Sequence, residues 1–244
     1  MFTKFKCPYL PLNISLVKLL VMNKQDNMNL KIYYSHTPFW RAEVLRVSLF
    51  IGKITFDDVR ISKEEFREVI FTGKLRNEIE IPFHQLPVLE IDGKIVGQTG
   101  AIARYCGKLS NLYPKDDFLA AKVDQIIDTA TDITNLVSPT VGEKDEIIKK
   151  VMRERLTSKL LPRWFNYLEN ILQKEKNCQW FVDNKMSIAD IAIWRLLGWL
   201  KSGMLDGIPT NICDSYPKLN NVHTAVHKNP KVQEWMLKTY GNEI

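Results

Sequence analysis

The sequence predicts an α/β domain followed by an all-helical domain, and three observations lead to this fold class. Short β-rich and helical segments alternate between residues 31 and 108. Asp92-Gly93 separates two short apolar runs, which is a strong signal for a β-hairpin. Beyond residue 117 the apolar residues recur only at helical spacing. We therefore expect the element order β-α-β-α-β-β-α, followed by a helical bundle.

The first strand and first helix are predicted between residues 31 and 52. Residues 31–34 are rich in β-forming side chains. Thr37-Pro38 then combines an N-cap residue with a proline at the first helical position, and Gly52 suits a helix end. The sequence therefore predicts a helix from Thr37 to Gly52, and the β-branched stretch 54–61 predicts the second strand.

The rest of the α/β half has clear local signals and one gap. Ser62 and Glu65 form a capping box that opens a second helix. Residues 73–82 show no periodicity, so we expect a long loop there. After the predicted hairpin, Thr99 is positioned to cap a helix that ends near residue 108.

Only helices are predicted after a linker at residues 112–117. Ser187 and Asp190 form a second capping box, and the helix that they open contains Trp194 and Trp199. We expect a first domain at 28–111, a second at 117–244, and helices at about 118–137, 143–161, 163–175, 188–200, 216–228 and 231–239.

The composition restricts the possible functions. The chain has 244 residues and a net charge of +6, but its lysines and arginines are mixed with acids, so no nucleic-acid-binding stripe is expected. The cysteines at positions 7, 106, 178 and 213 lack the spacing of a zinc site, so we expect no metal. We interpret them as reduced, buried thiols, which indicates a reducing compartment.

The first 27 residues differ from the rest of the chain. They contain several lysines and a single acid, Asp26. Their apolar stretch, residues 14–22, is interrupted by Lys18 and is too short to span a membrane. Two interpretations remain open: an organellar targeting peptide, or an extension upstream of a start at Met22 or Met28.

Several ordered motifs resemble the cytosolic glutathione transferases. They cover the chain from about residue 28 to its end, and they are Tyr34 followed by Arg41-Ala42-Glu43, then PFHQLPVLEIDG, then Gln98-Thr99 with AIARY, and finally SIADIAIW. Tyr34 and the RAE element are most similar to the sigma-type and related tyrosine classes. The resemblance implies a thioredoxin-like first domain and a helical second domain. It also implies glutathione as substrate or cofactor.

The resemblance implies that a hydroxyl stabilises the glutathione thiolate. Tyr34 lies at the end of the first strand, before the predicted first helix, where a hydroxyl and backbone amides can converge on one sulfur. Ser35 is the alternative, since it resembles the serine classes and the segment before Arg41 is one residue longer than usual. We favour Tyr34 as the catalytic residue.

The resemblance also implies a set of glutathione-binding residues. Leu86 precedes a proline that is cis in thioredoxin-like folds, although a trans proline is the commoner case. For Arg41 the alternative is a structural role as a brace between the domains. Lys74 lies in a loop that cannot be aligned with the family. For Asp132 the alternative is an exposed helical residue without a function. The expected set is Arg41, Lys74, Gln85, Leu86, Pro87, Gln98, Thr99 and Asp132.

The implied activity is conjugation of the glutathione thiolate to hydrophobic electrophiles in detoxification. We expect the acceptor pocket to lie between the domains, near Trp40, Ile133, Leu136 and Trp199. A glutathione-dependent isomerase and a non-enzymatic binding or structural protein are the alternatives. The resemblance further implies a cytoplasmic homodimer.

Overall fold

The computed structural model describes residues 28–76, 78–174 and 179–241. The predicted extension at 1–27 and two cysteines, Cys7 and Cys178, lie outside these residues. The first half forms a four-stranded sheet flanked by helices, and the second half is helical. This is a thioredoxin-like domain followed by a helical domain, as the sequence predicted.

The elements of the first half follow the expected order, with one additional hairpin. A 3₁₀ turn at Pro82–His84 precedes β5. The bounds are β1 Leu30–Tyr34, α1 Glu43–Ile51, β2 Asp57–Arg60, α2 Lys63–Thr72, β3 Lys74–Leu75, β4 Ile79–Glu80, β5 Val88–Ile91, β6 Lys94–Val96 and α3 Thr99–Leu109.

The main sheet has the strand order β2-β1-β5-β6. Strand β1 pairs in parallel with β2 and antiparallel with β5, and the register places Tyr34 opposite Arg60 and Tyr33 opposite Val88. The hairpin of β5 and β6 turns at Asp92-Gly93, which confirms the prediction. Strand β1 is therefore central, and Tyr34 at its end is paired with β2, one residue beyond the last pair with β5.

The first helix begins five residues later than expected: its first residue is Glu43 rather than Pro38, and Ala42 rather than Thr37 occupies the N-cap position. Phe39 has a φ of 57°, which an α-helix does not allow. Its ring is buried against Trp194 of the helical domain, with ring centroids 5.3 Å apart. A Cβ on Gly198 would lie 2.3 Å from this ring, so the glycine provides the space for it. A contact between domains therefore overrides the local N-cap and proline signal.

The capping box of α2 is confirmed, but the long loop after it is wrong. The Ser62 hydroxyl accepts from the Glu65 N–H at 3.1 Å, and Glu65 accepts from the Ser62 N–H at 2.8 Å. Gly73 ends α2 at a φ of 72°, and the ring of His84 packs where a side chain on this glycine would lie. Lys74–Leu75 and Ile79–Glu80 then form the short antiparallel pair β3 and β4, whose two-residue strands are too short to show a period.

The start of α3 also differs by one position. Thr99 is the first helical residue, and Gln98 occupies the N-cap position with a φ of 70° and no side-chain cap. The predicted cap by Thr99 is therefore wrong. Within the described residues, the first turn of α3 instead has no side-chain cap for its backbone N–H groups.

The helical half agrees closely with the predicted segments. The predicted segments 143–161 and 163–175 are not separated, because a π-helical segment at Leu156–Leu160 makes them continuous. The bounds are α4 Asp117–Val137, a 3₁₀ turn at Ser138–Val141, α5 Glu146–Arg155, α6 Leu161–Lys174, α7 Ile188–Lys201, α8 Pro217–His227 and α9 Pro230–Tyr240.

Helix α7 forms the centre of the helical half. Every residue from Ile188 to Leu200 is buried, and the helix packs against α4, α8 and, across the domain boundary, α1. Its predicted capping box is confirmed: Asp190 accepts from the N–H of Ser187 at 2.7 Å. Helix α7 thus belongs to the core of the second half and contacts the first domain through α1.

Cys106 and Cys213 are free and buried, as expected, and burial raises the pKa of each thiol to about 12. Neither thiol is therefore a nucleophile at neutral pH. None of the helices in the described ranges is long and apolar enough to cross a bilayer.

Candidate active site

Tyr34 lies at the junction of the two domains. Its side chain is 3% exposed, and its ring is in contact with Phe66 and Trp40, at centroid distances of 6.1 and 6.4 Å. The guanidinium carbon of Arg46 lies 6.0 Å from the ring centroid. The ring is therefore fixed by packing on several sides, which orients its hydroxyl.

Burial raises the pKa of Tyr34 above its ordinary value of 10.0. Positive charge on Arg41, Arg195 and Arg46 partly opposes this effect, as does a hydrogen bond from the backbone N–H of Arg41. The hydroxyl therefore remains protonated at neutral pH and is able to donate. The same arginines create a positive potential that favours an anion beside the hydroxyl.

Ser35 is held by its backbone rather than by its hydroxyl. Its carbonyl accepts from Arg46 Nη2 at 3.0 Å and from Arg60 Nη1 at 3.3 Å. Its Oγ is buried without a hydrogen-bond partner in the part of the chain that the structure describes. Ser35 does not line the cavity at Tyr34, described next.

A cavity of about 200 Å³ opens at Tyr34 between the domains. Trp40 and Trp199 line it as predicted, but Ile133 and Leu136 do not. Ile133 is fully buried in the core, and α4 contributes its neighbour Thr134 to the cavity instead. The lining residues are Tyr34, Trp40, Arg41, Phe66, Thr134, Ser138, Val141, Arg195 and Trp199.

A second, smaller cleft lies beside the first and shares Arg41 with it. It unites most of the residues that the resemblance implied, and the Leu86-Pro87 peptide bond in it is cis. The amides of the first turn of α3 have no intrahelical acceptor, so this helix start favours an anion. The cleft is lined by Arg41, Phe83, Gln85, Leu86, Pro87, Gln98 and Thr99.

Arg41 connects the two cavities and also the two domains. Its Nη2 donates to Asn135 Oδ1 at 3.1 Å and to Ser138 Oγ at 3.3 Å, both beyond the linker. The brace that we considered from sequence is therefore present. Because Arg41 also lines both cavities, bracing and ligand binding do not exclude each other.

Two predicted ligands lie apart from this group. Lys74 is exposed on β3, and Asp132 is exposed on α4. Neither lines the cavity at Tyr34 or the cleft at Leu86. Within the described ranges, no group of three metal-binding side chains could hold a metal ion.

Sequence reasoning missed Arg195 and Thr134. Arg195 is 4% exposed, and its Nη2 donates to Thr134 Oγ1 at 3.1 Å across the helical domain. A signal was present, because an arginine within the apolar run IAIWRLLGWL has no reason to be there unless it faces something polar. Thr134 gave no such signal, since α4 contains several threonines.

Comparisons with known proteins agree with this geometry. Residues 30–108 match the family model for the glutathione S-transferase N-terminal domain, and residues 131–239 match that for the C-terminal domain. A glutathione S-transferase of Anopheles gambiae is 30% identical over 214 residues, which is 88% of this chain and 98% of the relative.

Two further similarities are to prostaglandin D synthases. Hematopoietic prostaglandin D synthase of Mus musculus is 30% identical over 81% of this chain and 90% of the relative. The solved structure of prostaglandin synthase D of Nilaparvata lugens is 28% identical, with a TM-score of 0.74 over 86% of this chain and 98% of that one.

The thioredoxin-like domain, the helical domain and the two-part cleft between them agree with these matches. The chain belongs to the glutathione S-transferase family. Its sigma-like relatives include both transferases and prostaglandin D synthases.

Proposed function

We propose that this protein transfers the glutathione thiolate to small hydrophobic electrophiles. The observation that supports this most directly is the position of Tyr34. Its protonated hydroxyl lines an aromatic cavity that shares Arg41 with a cleft suited to a peptide. A thiol held at this boundary faces both the hydroxyl and the acceptor.

The smaller cleft supports glutathione binding in a defined orientation. The backbone of Leu86, before cis-Pro87, offers an N–H and a carbonyl to the peptide-like centre of glutathione. The start of α3 at Gln98 and Thr99 offers backbone N–H groups to the γ-glutamyl carboxylate. Gln85 borders the same cleft. We propose Lys74 for the glycine end and Asp132 for a ligand in a second subunit.

The chemistry follows from the charges at Tyr34. A free thiol has a pKa near 8.5, so it is mostly protonated at neutral pH. A hydrogen bond from the Tyr34 hydroxyl and the field of Arg41 lower this pKa, and the thiol proton passes to solvent. The thiolate then forms a C–S bond with the acceptor. In aromatic substitution a halide leaves, and in addition to an activated alkene the carbanion takes up a proton.

Conjugation with 1-chloro-2,4-dinitrobenzene tests this function. We expect formation of the dinitrophenyl conjugate and release of chloride, both above the uncatalysed rate and saturable in glutathione. Retention on a glutathione column is measured in parallel. A protein that is retained but forms no conjugate with any of several aromatic and unsaturated electrophiles contradicts transfer but not binding.

A second candidate is a glutathione-dependent isomerase. It is favoured by the similarity to two prostaglandin D synthases, which are 30% and 28% identical to this chain. The transferase of Anopheles gambiae is 30% identical. An isomerase needs the thiolate but does not consume it. A product of unchanged mass, formed from an endoperoxide only when glutathione is present and without loss of glutathione, distinguishes this activity from transfer.

We further propose that the protein is a cytoplasmic homodimer that acts in detoxification without a metal ion. We also propose domain bounds of 28–111 and 117–244. The positions of the strands, all before α3 in the described residues, support this division. Sedimentation at micromolar concentration tests the dimer, since a single monomeric species contradicts it.

A further inference from the structure

Arg195 is a buried cation without a counter-ion in the described part of the chain. It is 4% exposed, its Nε has no hydrogen-bond partner, and Thr134 Oγ1 provides its one described hydrogen bond. Burial, reinforced by the like charge of Arg41, lowers its pKa to about 10, so the group is still charged at neutral pH. An uncompensated buried charge is strongly unfavourable. The fold alone therefore gives no reason for this residue.

The surroundings of Arg195 indicate where a counter-ion would come from. Arg195 lines the cavity at Tyr34, together with its partner Thr134. Among the residues that the structure describes, no acidic side chain lines this cavity. The other charged residue there, Arg41, has the same sign and already bonds to Asn135 and Ser138. The cavity is thus positive, aromatic and lacks an anion of its own.

We infer that Arg195 binds a carboxylate on the acceptor, so that the preferred acceptors are small aromatic or unsaturated electrophiles that contain a carboxylic acid. This inference rests on the proposed transferase function and specifies its substrate class. The rings of Trp40, Phe66 and Trp199 provide the contact surface for the apolar part of such a molecule. A cavity of about 200 Å³ suits one ring or a short chain rather than a bulky lipid.

A different role for Arg195 is stabilisation of the thiolate itself. The two roles predict different kinetics. A group that acts on the thiolate affects all acceptors equally and shifts the thiol pKa, whereas a group that binds the acceptor carboxylate affects only acceptors that have one. Because Arg41 lines both the cleft and the cavity, a cation other than Arg195 is available to the thiolate.

The test compares 4-chloro-3-nitrobenzoate with 4-chloro-3-nitrobenzamide. In both reactions the thiolate forms a C–S bond, the C–Cl bond breaks and chloride leaves, while the thiol proton goes to solvent. Each kcat/KM is divided by its uncatalysed rate constant, because the two substituents activate the ring differently. We expect the wild type to prefer the benzoate, and R195M to lower this preference by about tenfold to a hundredfold, the usual range for a buried charged hydrogen bond. R195K should restore part of it.

Arg153 provides a matched control. It is 3% exposed, and its Nε and Nη1 also lack partners in the described residues, but it lies outside the cavity and 4.0 Å from a carboxylate oxygen of Asp206. R153M should therefore leave the preference for the benzoate unchanged. An equal loss of preference in R153M would show a general effect of removing a buried arginine and would overturn the inference.

Binding provides a readout that does not depend on transfer. Quenching of tryptophan fluorescence by unreactive 3-nitrobenzoate and 3-nitrobenzamide reports on the cavity, since Trp40 and Trp199 line it. Wild-type protein that binds both equally, or an R195M variant that only raises the thiol pKa, overturns the inference. If no conjugate forms but the benzoate still binds in an Arg195-dependent way, transfer fails and the carboxylate site stands. If R195M does not fold, the wild type and R195K decide the same comparison.

Discussion

The hydroxyl of Tyr240 donates a 2.6 Å hydrogen bond to Oε2 of Glu43, a carboxylate that is completely buried. Trp235 Nε1 donates to the other oxygen of the same carboxylate, and Arg46 Nη1 lies 3.4 Å from Oε2. The last described helix, α9, is thereby fixed to the first turn of α1. Helix α9 thus supports the helix that follows strand β1.

Replacing Tyr240 by phenylalanine should destabilise the protein by about 1–3 kcal/mol, because the buried carboxylate of Glu43 loses one of its donors. The measurement is the free energy of unfolding in urea. Y167F serves as a control, since Tyr167 is 52% exposed. Equal stability of Y240F and Y167F would show that the Glu43 bond contributes nothing.

Two variants test whether Tyr34 or Ser35 donates the hydrogen bond to the thiolate. Y34F removes the donor hydroxyl and should lower the conjugation rate by about a hundredfold or more, as for loss of a preorganised oxyanion donor. It should also raise the pKa of the bound thiol, which is followed by thiolate absorbance against pH. S35A should change neither, because the Ser35 hydroxyl does not line the cavity at Tyr34. The opposite pattern would assign catalysis to Ser35.

His223 predicts an acid-sensitive stability. Burial, reinforced by Lys201 and His227, lowers its pKa from 6.5 to about 4. The unfolded chain therefore binds the proton first as the pH falls, so stability is complete above pH 6.5 and is lost towards pH 4. Between pH 7.5 and 5 the contribution of this group amounts to about 2 kcal/mol. H223Q should remove that part of the pH dependence, whereas H227Q, which leaves the burial of His223 in place, should remove only a small part of it.

Gly198→Ala should destabilise the protein, since the new Cβ would lie 2.3 Å from Phe39 Cδ1. A loss of about 1–3 kcal/mol is typical of overpacking. Conjugation should also weaken, because Phe39 is adjacent to Trp40 in the cavity wall. Gly142→Ala is the control, as nothing lies within 4 Å of its Cβ position. A double variant with Phe39→Leu should recover part of the loss, and no recovery would exclude this clash as the cause.

Local sequence signals predicted the local structure well. Both capping boxes, at Ser62 and Ser187, depend on residues three apart and are present as expected. The predicted helix start at Thr37 is wrong because Phe39 packs on α7, far away in sequence. Ordered motifs were also sufficient to predict that Arg41, Gln85 and Gln98 belong to the site. The position of Arg195 in the cavity depends on how α7 packs, which no motif specified.

The packing of Phe39 against Gly198 limits which first and second domains of this family can be combined in a chimera. Phe39 comes from the first domain, yet the residue that leaves room for it lies in the second, on α7. A chimera that joins residues 28–111 of this chain to the helical half of a relative should close its cleft only if that half has glycine at the corresponding position. A domain exchange between family members should therefore keep Phe39 and Gly198 together.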